Sequence, residues 1–159
     1  MKVYISYSMN DSEQYVLSVL AKKLREQGDV VSTGYDSSFS LMDYNIPHQI
    51  NSANLFIGLI TATGNANTRV LQEWNHAINR RIPSLLLIEN RVPVNPPYHG
   101  DPNIIRFDRM NPEPSIEMVR NKINASRQSQ LANTSGNNAW LIGGLAVLAL
   151  IGLLSSEDK

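Results

Sequence analysis

Glu73 is the side chain of this sequence best placed to do chemistry. It stands in the run Asn67-Thr-Arg-Val70-Leu-Gln-Glu73-Trp-Asn-His-Ala77, where Val70, Leu71, Trp74, Ala77 and Ile78 recur at helical spacing. That spacing puts Glu73 in the first two turns of a helix following an apolar strand. Two readings compete on position alone: a solvated glutamate that suits the positive end of a helix, and a carboxylate turned toward a cleft. Other chemistries have less to draw on. The chain has no cysteine and only His48, His76 and His99, so a metal cluster is not expected. Neither the Gly-rich dinucleotide fingerprint nor the GxxxxGK phosphate loop occurs. No nucleophile-elbow motif marks a Ser/His/Asp triad. His48 and His76 read as surface or half-buried helix residues, and Trp74 reads as core.

The elements that must position Glu73 follow from hydrophobic pattern. Lys2–Tyr7 is a β-branched and aromatic run that reads as a strand. A helix follows, with caps at Asn10-Asp11-Ser12, apolar residues Val16, Leu17, Leu20 and Leu24, and Gly28 as its stop. Residues 29–33 are a second strand, and 34–40 a loop. Residues 42–52 read as a helix that Pro47 weakens. Leu55–Ile60 is fully apolar, as strands buried on both faces are, and Ser84–Ile88, SLLLI, reads as another buried strand. Between them lies the helix of Glu73, read as residues 68–81. A Pro-rich loop over 91–101, a short strand over 103–107 and a helix over 114–125 complete the globule.

Alternating strands and helices imply right-handed crossovers and a parallel sheet covered on both faces. Ligands of such sheets bind outside the carboxyl ends of the strands. Those ends carry residues 7–11, 33–40 and 61–67, and the helix opening after Asn67 begins beside them. With 14 Lys plus Arg against 14 Asp plus Glu there is no basic excess, and nucleic acid is not an expected partner.

The end of the chain is of another kind. Residues 126–138, SRQSQLANTSGNN, are polar and lack apolar periodicity, and read as a linker. Ala139–Leu154, AWLIGGLAVLALIGLL, carries no charge. At roughly 1.5 Å per residue it is about 24 Å long, slightly short for a bilayer core unless its flanks join it. Trp140 sits where an interfacial aromatic belongs, and Ala139, Gly143 and Ala146 form a small-residue stripe. The expectation is a transmembrane helix over 139–156, followed by a short tail over 157–159. Arg120, Lys122 and Arg127 before it place the N-terminal part in the cytoplasm, the membrane being the cell inner membrane and the anchor single-pass and C-terminal. The alternative for this segment is a helix buried in an oligomer.

Five motifs in order give the globule a family resemblance. Val3-Tyr-Ile-Ser-Tyr7 resembles the first-strand box of Toll/interleukin-1 receptor (TIR) domains. Ile46, Ile50, Asn54, Phe56 and Thr61 resemble their second helix and third strand, and residues 83–88 their fourth strand. Asn67, Val70, Glu73 and Ala77 resemble the family's Ser/Asn-x-x-Val-x-x-Glu-x-x-x-Ala helix. The resemblance covers residues 1–125 and implies an α/β, flavodoxin-like three-layer fold with a five-stranded parallel sheet. It implies one of two activities: cleavage of NAD at the nicotinamide–ribose bond with the Glu73 carboxylate essential, or adaptor binding between TIR domains. In the first, NAD is a substrate and no cofactor is needed. The resemblance also gives Ser8, Asp36 and Phe39 contacts to the nucleotide or pocket. Arg69 stands where active members often carry an aromatic, and an arginine there suits a phosphate. Such domains complete their sites by self-association, which the tails would aid at a lipid bilayer. This suits a bacterial antiphage effector triggered by a separate sensor or signal-producing partner. A further alternative has clustered tails permeabilise the membrane.

Overall fold

The computed structural model describes residues 1–8, 14–33 and 45–132. Within them the chain runs β1 (Lys2–Ser8), α1 (Gln14–Glu26), β2 (Val30–Thr33), α2 (Asn45–Asn51), β3 (Leu55–Ile60), α3 (Asn67–Asn79), β4 (Ser84–Glu89), β5 (Ile104–Phe107) and α4 (Glu113–Ala132). The strands form a five-stranded sheet in the order β2-β1-β3-β4-β5. Every pairing is parallel, as the apolar runs of β3 and β4 require of strands buried on both faces. This is the flavodoxin-like order, whose switch point lies between β1 and β3.

Successive side chains of a strand point to opposite faces, and each face closes its own core. On one side Val3, Ile5, Leu55, Ile57, Leu59, Leu85, Leu87, Ile105 and Phe107 meet Val16, Leu20 and Leu24 of α1 and Ile116, Val119 and Ile123 of α4. On the other, Tyr4, Phe56, Ile60, Leu86 and Ile88 meet Ile46 and Ile50 of α2 and Val70, Leu71, Trp74 and Ala77 of α3. Full burial of each such Leu, Ile or Phe is worth about 1.5–3 kcal/mol relative to exposure. Helix α1 stops at Gly28, whose φ of 81° lets Asp29 N–H reach the Leu24 carbonyl at 3.2 Å and Gly28 N–H reach that of Arg25 at 2.9 Å. Arg81 closes α3 in the same way at φ 58°, a strained position for a residue with a Cβ.

One element departs from expectation. Helix α4 runs to Ala132, seven residues past the boundary read at 125, so the first part of the supposed linker is helical. Long-range contacts hold it there: Arg127 pairs with the buried Asp29 ahead of β2, and Ser126 is buried. Between β4 and β5 the Pro-rich segment forms only a 3-10 turn at Pro96–Tyr98, so no α-helix covers that part of the sheet. The expected caps at residues 10–12, the loop over 34–40, the end of the linker and the expected transmembrane segment over 139–156 lie outside the described residues. Among the described residues, no helix is long and apolar enough to cross a membrane.

Candidate functional site

The site is built where β1 meets α3. The two-residue period of β1 sends Tyr4, Ser6 and Ser8 to the α3 side, all buried. Helix α3 crosses over β1 and β3, and its apolar stripe fixes its rotation. That rotation turns Glu73, flanked by Trp74 and Val70, into the protein. Glu73 is only 8% exposed, so it is not the solvated helix glutamate that position alone allowed.

A buried carboxylate costs several kcal/mol unless it is paired and hydrogen-bonded. Here the pairing is loose. The Tyr4 hydroxyl donates to Glu73 Oε2 at 3.4 Å, long for an O–H···O bond. Arg69, one turn earlier on the same helix, brings Nη1 to 3.9 Å from Glu73 Oε1. The arginine has a firmer attachment elsewhere, donating from Nη2 to the Tyr7 carbonyl at 2.8 Å. Arg69 is thus held by the end of β1 beside the carboxylate. A desolvated anion with acceptor capacity to spare, beside one cation and one phenol, can stabilise positive charge developing next to it.

Ser8 lies at the carboxyl end of β1, but its groups are committed to the chain. Its Oγ accepts from Ala66 N–H at 2.8 Å, and its carbonyl accepts from Thr61 Oγ1 at 2.8 Å. The loop leaving β3 therefore lies on Ser8, so closely that a Cβ on Gly64 would come within 2.2 Å of the Ser8 carbonyl oxygen. Asn67 completes the buckle, donating from Nδ2 to the Thr61 carbonyl at 3.3 Å. This loop sets the start of α3, which carries no side-chain cap of its own. The structure so brings Ser8, Arg69 and Glu73 together on one side of the sheet. Asp36 and Phe39 lie outside the described residues.

Sequence reasoning missed two contributors. Tyr4, 69 residues from its partner, passed for an ordinary strand aromatic. Glu89, at the end of β4, is buried to 1% exposure. Its Oε2 accepts from Ala62 N–H at 2.7 Å, and Arg109 Nε lies 3.5 Å from Oε1. Glu89 thereby ties the β3–α3 loop to the next strand. A carboxylate closing the otherwise apolar strand SLLLIE was the available signal. Of the helix histidines, His48 is exposed and half-buried His76 contacts Asn51 Oδ1 at 3.0 Å.

No family model matches the chain, and no curated protein matches it in sequence. Solved structures do match in fold. One is a 2-deoxyribosyltransferase from the psychrotolerant bacterium Bacillus psychrosaccharolyticus, at a TM-score of 0.53 and 16% identity, covering 68% of this chain and 86% of that one. Another is the TIR domains of the activated Roq1 resistosome that recognises the pathogen effector XopQ, at a TM-score of 0.48 and 14% identity, covering 85% of each chain. The first likeness establishes a shared α/β fold with a five-stranded parallel sheet.

Proposed function

We propose that this chain is a TIR-like glycohydrolase that cleaves NAD at the nicotinamide–ribose bond, with Glu73 as the catalytic residue. The observation that carries the reading is the buried, loosely paired Glu73 carboxylate beside the switch point of the sheet. Nicotinamide leaves as a neutral pyridine, so no general acid is needed. Its departure puts positive charge on the ribose, which an adjacent carboxylate stabilises while holding the sugar hydroxyls. Tyr4 orients Glu73 from below. Arg69 leaves the Tyr7 carbonyl to meet the diphosphate of NAD, uncovering Glu73 as it does so. Ser8 shapes the floor of the pocket, and the family resemblance gives Asp36 and Phe39 contacts to the nucleotide or pocket. The acceptor is water, giving ADP-ribose, or a ring atom of the same molecule, giving a cyclic product. A deoxyribosyltransferase of similar fold transfers, by its name, a 2-deoxyribosyl group, an analogy at the level of fold alone.

The wider reading is of an effector in bacterial antiphage defence. TIR self-association completes the site, and residues 139–156 hold the assembly on the inner membrane, where confinement raises local concentration. One observation favours a second reading, a non-enzymatic interaction module: Arg69 lies against Glu73 as a structural i,i+4 partner would. The test is nicotinamide release by the full chain on lipid vesicles, wild type against Glu73→Gln. Release that disappears in the variant supports the enzyme. Release that survives the substitution overturns the role of Glu73, none from wild type when clustered on vesicles overturns the enzyme in favour of the module, and dye leakage from the same vesicles reports on permeabilisation by the tails.

A further inference from the structure

The missing β4–β5 helix leaves a cavity of about 580 Å³ on the same sheet face as Glu73 but over β4 and β5 rather than β1 and β3. Three prolines, at 93, 96 and 97, keep the segment from forming the helix that would fill it. The space is of the size that takes a nucleotide-like small molecule. One part of its wall is apolar, from Val92, Val94, Tyr98 and Ile104. The rest carries Arg91, His99 and Arg106, and no Asp or Glu lines it. In a chain with 14 cationic and 14 anionic side chains, that is a local excess of one sign.

Arg106 makes the excess informative. It projects from β5 on the Ile104 side, and its Nη2 donates to the Asn90 carbonyl at 2.7 Å and the Val92 carbonyl at 2.8 Å. These bonds pin the guanidinium at the wall. Its Nη1 is shielded from solvent and has no hydrogen-bond partner. Burial also draws the guanidinium down from its ordinary range, so the cation is held here against a desolvation cost. A guanidinium held at the wall, with no carboxylate lining the space beside it, suits an anion in the cavity. Two guanidinium groups suit a dianion better than a monoanion.

We infer that this cavity is a binding site for a mononucleotide-sized organic phosphate, its phosphate on Arg106 and Arg91 and its planar body against Tyr98 and the valines. The site is separate from Glu73 and does not depend on the reading given to that residue.

The test is titration of the full chain with AMP, followed by calorimetry and by amide chemical shifts, with adenosine and inorganic phosphate as controls. AMP is expected to bind saturably and to shift amides between residues 90 and 106. Arg91→Glu alters an exposed rim residue and leaves the core untouched, and should weaken AMP by about tenfold or more, the loss of at least one charge-assisted contact. Glu73→Gln should bind AMP like wild type. No saturable binding, shifts confined to the α3 region, or AMP affinity indifferent to Arg91→Glu would each overturn the inference. Adenosine binding as tightly as AMP would overturn the role of the cations, and inorganic phosphate doing so would overturn that of the apolar wall.

Discussion

Val3 and Ile5 of β1 enter a core whose strand residues are apolar from β1 to β5, whereas Tyr4, Ser6 and Ser8 of the same strand enter one that holds a carboxylate. On the α1/α4 side the strands turn polar at the carboxyl rim, with Glu89, and other buried polar groups, Asp29, Ser115 and Ser126, lie outside the strands. On the α2/α3 side polarity runs down β1 to mid-sheet and faces Glu73. Buried polar groups are costly, and among the described residues the ones that reach mid-sheet, Ser6 and the carboxylate of Glu73, lie on the face beside the switch point. The first face maintains the fold; on the proposed reading, the second gives up some stability where chemistry needs anions and hydroxyls out of water.

The sharpest way to break this comparison is to empty each face in turn. Leu59→Ala on the α1/α4 side should cost about 2–5 kcal/mol in denaturant unfolding, a full core truncation. Ser6→Ala on the other side should cost less than about 0.5 kcal/mol, because its buried Oγ has no hydrogen-bond partner to lose. Equal costs would dissolve the distinction. Gly64→Ala drives a Cβ into the Ser8 carbonyl, and should cost about 1–3 kcal/mol and loosen the start of α3, seen as faster amide exchange there.

Smaller effects sharpen the structural side. Arg81→Gly should raise stability by about 0.5–1 kcal/mol by relieving its left-handed backbone, measured as a higher unfolding midpoint. The smallest effect concerns pH. Tyr15 donates to Glu113 Oε1 at 2.7 Å, tethering α1 to α4 on the surface. The bond holds Glu113 below the usual carboxylate range and, with the nearby negative charge, raises Tyr15 above its own. Glu113, depressed in the fold, contributes stability above its unfolded value that is lost as pH falls through the folded one. Tyr15, raised in the fold, contributes below its unfolded value and loses it as pH rises through the folded one. Tyr15→Phe should flatten both slopes in unfolding midpoints against pH, with little change at neutrality.

Much of this architecture is written locally. Leu55–Ile60 is a run no surface element would carry, and β3 spans those residues. The same logic located β1, β4 and the apolar stripe of α3. What escaped was long-range. The polar residues 126–132 have no periodicity of their own, and their helix rests on contacts such as that of Arg127 with Asp29, nearly a hundred residues away. The i,i+4 placement of Arg69 and Glu73 was visible in the sequence, but Tyr4 as a partner was not, because only folding joins them. The cavity over β4 and β5 was hidden for a related reason. Prolines announce a missing helix, but not that Arg91 and Arg106 face the space it leaves.

The central claim is that Glu73 is kept buried for chemistry rather than for stability. The most direct measurement pairs activity and unfolding on one variant: Glu73→Gln, assayed for nicotinamide release from NAD on vesicles and for its thermal midpoint. The account predicts that release falls by about a hundredfold or more, while the midpoint holds or rises because a desolvated, loosely paired charge has been removed. A variant that unfolds at much lower temperature while still releasing nicotinamide at the wild-type rate would contradict it.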